Sequence, residues 1–322
     1  MTNDLVGTLR ACLPWTPGPV PEDIPHGDMP GDQVSIAPSH MAKAAALFPL
    51  VVGELLTVLS ESGADRAVVA VAGGSGVGKS EIASLLSFHL RTVGVGSYTL
   101  SGDNYPRRIP AHNDAERLRI FRHGGLRGLV ASGRYTAEHA AALRRLSAAG
   151  VDADPGRTAD DPWLAVYQEA GRAALRGYLG TPAEIDFDEL SGIVGQFRAG
   201  AGALWLKRMG RAEADLWYDR VDLTAVNVLV IEWTHGMSHY LQGVDVQVLL
   251  SSTPAETLAH RRARNRDGAI DSPFTTTVLE IEQELLESQA DTARVILSKG
   301  GEPMSCGQYR RAMAQTRSGA DA

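Results

Sequence analysis

The sequence predicts an α/β protein built on a doubly wound parallel sheet, with a mainly helical insertion. Three observations carry that expectation. Runs such as AVVAVA, NVLVIEW (227 to 233) and VDVQVLLSS (244 to 252) have strand length and no polar alternation, as strands buried on both faces of a parallel sheet do. A glycine-rich stretch, GGSGVGKSE (73 to 81), separates the first of these from an amphipathic helical pattern. Between the second strand and NVLVIEW lie more than a hundred residues of helical character, too long for a connection.

Taken in order, residues 13 to 38 hold seven prolines and little apolar periodicity, which predicts an extended arm on the surface. His40 to Ser60 carries a helical apolar stripe with Pro49 as a kink or break. RAVVAVAG is the first strand, and GKSEIASLLSFHLRTVG is a helix with Ile82, Leu85, Leu86 and Leu90 on one face. SYTLSGD (97 to 103) is a second strand, and RVILS (294 to 298) a weaker last one. The expected division is an arm at 1–38, a core at 39–104 and 225–310, an insertion at 105–224 that binds the acceptor, and a tail at 311–322.

The bulk properties exclude several classes. The 322 residues are 44% hydrophobic and 21% charged with a net charge of -7, which argues against nucleic acid as a partner, since such affinity comes from neutralising phosphates. Only Cys12 and Cys306 are present, so neither a disulfide framework nor a cysteine metal site is expected. No apolar run approaches the roughly 20 residues that span a bilayer, and the N-terminus lacks a basic flank followed by an apolar core. No membrane partner and a cytoplasmic location are the expectations.

Gly73-x4-Gly78-Lys79-Ser80 fits the phosphate-loop pattern, in the strand-loop-helix context that confirms it. The fold class is thus of the P-loop NTPase type. Gly73, Gly74, Ser75, Gly76, Val77, Gly78, Lys79, Ser80 and Glu81 are the candidate nucleotide-binding residues. Backbone N–H groups of such a loop converge on an anion, and the following helix adds its N-terminal dipole. Lys79 is expected to reach the β- and γ-phosphates, and Ser80 to ligate Mg²⁺. The donor is ATP or GTP; the loop does not specify the acceptor.

Polar residues at strand ends face the same crevice in an open parallel sheet. Asp103 is placed to take a proton from an acceptor hydroxyl or to bind Mg²⁺ through water, with a turn cap as the plain alternative. Glu232, ending an apolar strand, calls for a cationic partner, either Mg²⁺ or an arginine. The run AHRRARNRDG (259 to 268) is either a solvated charge run or a basic lid over the phosphates. In the helical block Arg107, Arg108, Arg119, Arg122 and His123 are candidates for the acceptor pocket, or for pairing with Asp114 and Glu116.

The ordered set GGSGVGKS, SGDNYPRR, TPAEIDFDEL…FRAG, VLVIEWTH and STPAETLAHRRARNRDG resembles the uridine kinase, phosphoribulokinase and pantothenate kinase group of P-loop kinases. The resemblance implies Asp103 as base toward the acceptor, Tyr105 and Arg108 near the substrate, Glu232 on the Mg²⁺ side, Arg262, Arg264 and Arg266 as lid arginines, and His235 at a position where the group often has histidine. Trp233 departs from the group's glycine, and its tyrosine-aspartate segment is not clear in ALWLKRMGRAEADLWYD. "LSGDNYPRR" also looks locally like adenylylsulfate kinase. The expectation is a kinase, dependent on ATP and Mg²⁺, acting on a hydroxyl of a small polar metabolite: a sugar, a nucleoside or a pantothenate-like alcohol. The alternatives are an adenylylsulfate kinase-like enzyme or a P-loop NTPase acting as a switch, and a homodimer stays open.

Overall fold

A computed structural model describes residues 4–32, 34–264 and 272–320. The chain divides into two compact units, one formed by residues 1–105, 186–253 and 286–322, the other by 106–185 and 254–285.

The first unit is organised by a six-stranded sheet. Its elements are α1 (Leu5–Ala11), α2 (Pro38–Ser62), β1 (Ala67–Gly73), α3 (Lys79–Thr92) and β2 (Ser97–Ser101). After the other unit's first segment come α7 (Phe187–Arg198), β3 (Ala203–Met209), β4 (Leu216–Asp222), β5 (Val228–Glu232) and β6 (Val246–Leu250), then β7 (Val295–Leu297), β8 (Pro303–Met304) and α10 (Cys306–Ala320). The sheet order is β2-β5-β1-β6-β7-β8, parallel except at the β7–β8 edge. Every residue of β1 and β5 is buried, which is why neither alternates. The doubly wound expectation holds, and all five strands read from the sequence are present.

Helix α2 ends at Gly63 in the left-handed conformation (φ 66°), a common helix stop. It runs through Pro49 without the expected break, because Leu47, Phe48, Val51, Val52 and Leu55 on both sides of the proline are fully buried in one core. Another expectation is corrected here: α2 is long and apolar enough to cross a membrane by length and composition. In this structure the same side chains fill the core against the sheet.

The proline-rich arm runs over the surface as expected, most of its prolines exposed, while a few apolar side chains anchor it. Trp15 packs on Phe48 with ring centroids 4.4 Å apart, and Ile24 is buried in the main core. Prolines exclude the arm from regular structure, yet its few large apolar groups still gain by leaving water. The segment preceding it forms α1, capped by Asp4, whose carboxylate accepts from the Gly7 N–H at 2.8 Å.

The second unit contains α4 (Pro110–Ala131), α5 (Ala137–Ala148), α6 (Pro162–Arg176), α8 (Pro254–Arg264) and most of α9 (Pro273–Gln289). Its core holds Phe121, Leu129, Leu143, Leu164, Tyr167, Leu175 and Ile281. Helices α4 and α6 approach closely at glycines: a Cβ at Gly125 would stand 2.4 Å from the Tyr167 ring. Residues 186–224 therefore group with the sheet, while 254–285 join the helical unit, a different division from the 105–224 insertion expected. Within 186–224 the antiparallel β3–β4 hairpin was not foreseen.

Two buried carboxylates organise this unit. Glu184 accepts from Arg117 Nε at 2.5 Å, Asn113 Nδ2 at 3.1 Å and the Gly180 N–H at 2.7 Å. Asp152 accepts from Arg122 Nε and Nη2, both at 2.9 Å, and from Tyr167 Oη at 2.8 Å. Burial pushes the Asp152 carboxyl up, but the hydrogen bonds from Arg122 and Tyr167 outweigh it and hold the group below its usual range. Its stabilising contribution is therefore present above the unfolded carboxylate range and lost as pH falls through the lowered folded value. Asp152→Ala is expected to destabilise the protein by about 2 to 3 kcal/mol, since it strands a half-buried guanidinium and a buried phenol. Urea midpoints at pH 7, pH 4 and pH 2.5 check this: the deficit should be clear at pH 7, little changed at pH 4 and smaller at pH 2.5.

Candidate functional site

The chemistry gathers at the carboxyl ends of the first unit's strands. β1 leads into the glycine loop, where Gly73 is irreplaceable on two counts. Its φ of +155° is disfavoured for other residues, and a Cβ there would stand 2.8 Å from the Leu250 carbonyl oxygen. Gly78, at φ +96°, caps α3, so the helix begins at Lys79 with its N–H groups directed into the loop. Lys79 Nζ donates to the Gly74 carbonyl at 3.1 Å, keeping the ammonium over the loop. Ser80 and Glu81 are buried in the first turn, as is Val77 before it.

Parallel register aligns Ser101 of β2, Glu232 of β5 and Val71 of β1 across the sheet. Glu232 is buried and accepts hydrogen bonds from Ser101 Oγ at 2.5 Å and Ser80 Oγ at 3.2 Å. Burial, then the nearby charge of Asp103, pushes its carboxyl up to about 7, against the pull of the Ser101 hydroxyl, Lys79 and Ser80. Asp103 sits in a turn of 3-10 helix (Gly102–Asn104) directly after β2 and is exposed. The pair is thus an exposed carboxylate and a buried one with distinct environments, the arrangement that separates acid-base roles.

Mg²⁺ fits the donor set. Ser80 Oγ and the Glu232 carboxylate are hard oxygen donors already in contact, and a dication would relieve the electrostatic strain on the buried carboxylate. Among the described residues no group of three or more His, Cys, Asp or Glu side chains forms a metal cage; Mg²⁺ is ordinarily held by one or two protein ligands together with phosphates.

One sequence departure, Trp233, finds a structural account. Trp233 is buried with its ring against Gly102, where a Cβ would stand 2.1 Å from the indole. The large side chain after β5 is therefore accommodated by a missing one in the Asp103 turn. Tyr105, expected at the substrate, has no exposed surface, and Lys207 Nζ lies 5.1 Å from its ring centroid. His235 is likewise buried, edge-on to Trp233 at 5.3 Å.

Arg107, Arg108, Arg119, Arg122, His123 and Arg262 belong to the second unit. Arg107 donates to the Pro182 carbonyl at 2.7 Å and Arg108 to Tyr178 Oη at 3.0 Å. Arg119 pairs with Glu116 at 2.7 Å, as the plain alternative had it, whereas Arg122 is committed to Asp152. His123 and Arg262 are exposed. The side chain of Arg264, and Arg266 altogether, lie outside the described residues.

Sequence reasoning missed Asp28 and Arg208. Both side chains are largely shielded from water, and Arg208 Nη1 donates to Asp28 Oδ2 at 2.8 Å. Asp28 also accepts from the Ser101 N–H at 2.7 Å, Asn104 Nδ2 at 3.1 Å and Tyr98 Oη at 3.0 Å. The available signal was an acidic residue inside a proline-rich arm and an arginine inside an aromatic-rich hairpin, each unremarkable alone.

A glycine loop between the central strand and its helix, facing a buried carboxylate on the adjacent strand, decides the architecture. This is a P-loop fold. No protein-family model matches the chain. It is 37% identical over 237 residues to the bifunctional alpha-galactosidase/sucrose kinase AgaSK of Mediterraneibacter gnavus, a match that takes in 74% of this chain and 20% of that protein. The chain thus spans about a fifth of that curated relative. Among solved structures it is similar to a phosphoribulokinase from Rhodobacter spheroides (15% identity, 73% of this chain and 70% of that one, TM-score 0.42). It is also similar to a possible uridine kinase from Bacillus stearothermophilus (14% identity, 76% and 96%, TM-score 0.38).

The raised carboxyl of Glu232 has a measurable consequence for this P-loop protein. A carboxyl that ionises later in the folded than in the unfolded state withdraws stability as pH rises from the unfolded value through about 7. Glu232→Gln is expected to be more stable than the parent above pH 7, by up to about 3 kcal/mol, with the gap closing toward pH 4. Thermal melts across that range, without nucleotide, measure it.

Proposed function

We propose that the chain is a kinase, dependent on ATP and Mg²⁺, that phosphorylates a hydroxyl of a small polar metabolite, with a sugar as acceptor and sucrose as the first compound to test. The observation that supports this most is the contact of Ser80 with buried Glu232 beside Lys79, with the exposed Asp103 close by. The sequence identity with a protein named as a sucrose kinase supports the sugar acceptor.

In this reading the loop N–H groups and Lys79 bind the β- and γ-phosphates of ATP. Ser80 and Glu232 hold Mg²⁺, which when bound neutralises charge on the phosphates. Asp103 orients the acceptor hydroxyl and takes its proton as the oxygen bonds to the γ-phosphorus and the bond to the β–γ bridging oxygen breaks, releasing ADP. Glu232 is too enclosed for that proton transfer, whereas Asp103 is open to an acceptor. The expected cytoplasmic location and absence of nucleic acid belong to the same proposal.

Coupled ADP release, measured with sucrose and a panel of sugars, nucleosides and pantothenate, tests it. The expected result is release that depends on a sugar, lowered about 100-fold or more by Asp103→Asn and about 1,000-fold by Lys79→Ala. ADP release without any acceptor that persists in Asp103→Asn would replace the kinase with an NTPase.

A further inference from the structure

The arm and the hairpin meet at one carboxylate that the glycine-loop chemistry does not use. Asp28 receives four donors: the Ser101 N–H (2.7 Å), Asn104 Nδ2 (3.1 Å), Tyr98 Oη (3.0 Å) and Arg208 Nη1 (2.8 Å). Two of these donors, Ser101 and Asn104, flank Asp103. Ser101 reaches in a second direction, its hydroxyl donating to Glu232. Asn104 does the same: its Oδ1 accepts from the Met209 N–H of the hairpin at 3.0 Å. Arg208 is itself held by Asp219 on β4 at 3.1 Å and donates to Tyr98 Oη at 3.1 Å. The backbone just before Asp28 lies against the site, since a Cβ at Gly27 would stand 3.7 Å from Glu232 Oε1.

A shielded carboxylate satisfied by four donors from two separate segments, residues 98–104 and the hairpin, is costly to assemble and holds both against the arm in one geometry. An ion pair kept only for stability would not need to clamp both sides of a three-residue turn. We infer that Asp28, together with Arg208, is a positioning residue that fixes the Asp103 turn, so that the proline-rich arm forms part of the catalytic apparatus. The consequence for rate rests on the kinase reading above. The consequence for the turn does not.

The test therefore has two arms, on Asp28→Asn and on Asp28→Asn combined with Arg208→Gln, the second removing both charges so that neither is left buried alone. Hydrogen exchange is expected to speed up about tenfold at the Ser101 to Tyr105 amides, while the amides of β1 and α2 exchange as in the parent. With Mg-ATP and sucrose, kcat is expected to fall about 100-fold while KM for ATP changes less than about twofold, since a small misplacement of a reacting group lowers the rate without loosening the donor site. Arg208→Lys, which keeps the charge, is expected to restore a large part of kcat relative to Arg208→Gln. Parent-like exchange at 101–105 in the folded double variant overturns the inference, as does faster exchange with unchanged kcat. A parent protein inactive on every acceptor would remove the kinase reading instead, and the exchange measurement would then decide the role of Asp28.

Discussion

Glu232 places a carboxylate where almost no water reaches it, at the end of a strand whose other side chains are all apolar and buried. Such a group demands partners, and the surroundings of the site follow from meeting that demand. The parallel register sets Ser101 beside it on one neighbouring strand. The turn after β1 must then be tight enough to bring Ser80, at the start of α3, within 3.2 Å, which is why Gly73 and Gly78 occupy conformations that other residues resist. What remains unsatisfied is negative charge, left partly uncompensated by Lys79 and opposed by Asp103. A site so built favours a divalent cation and the phosphates that travel with it.

The same constraint explains the company that Asp103 keeps. Its turn has Trp233 packed on Gly102 on one side and the Asp28 clamp on the other. In the proposed reaction, an exposed carboxylate on an otherwise loose turn would lose rate through misplacement, since near-attack geometry depends on fractions of an ångström. The burial of Tyr105 belongs to this support. Its ring lies beneath Lys207, whose ammonium is paired with Glu189 at 2.9 Å.

The helical unit teaches a different lesson about charges read from a sequence. Arg117 and Arg122 are held by Glu184 and Asp152, buried acids that lie 67 and 30 residues away along the chain. Nothing in the local spacing announces such pairs, because they depend on which loop the fold returns to which helix. The nearby Arg119 does pair at i,i+3 with Glu116, the kind of contact that helix geometry makes legible. The hairpin was missed for a related reason. ALWLKRM and LWYDRVD are rich in strand-forming aromatics, yet their alternation is blurred because Lys207 and Arg208, both buried, point to opposite faces and are each neutralised by an acid from elsewhere.

By itself the sequence determined the features whose cause is local. Unbroken apolar runs mean strands covered on both faces, the glycine spacing means a loop that wraps an anion, and the strand-end positions of Asp103 and Glu232 follow from chain direction. Only the tertiary structure decided where the arm's few apolar side chains anchor it, that Asp28 and Arg208 meet across 180 residues, and that residues 186–253 group with the sheet while 254–285 do not. The physical reason is that a buried charge can be placed only where its partner already is, and partnership between distant segments is a property of the assembled fold rather than of any window of sequence.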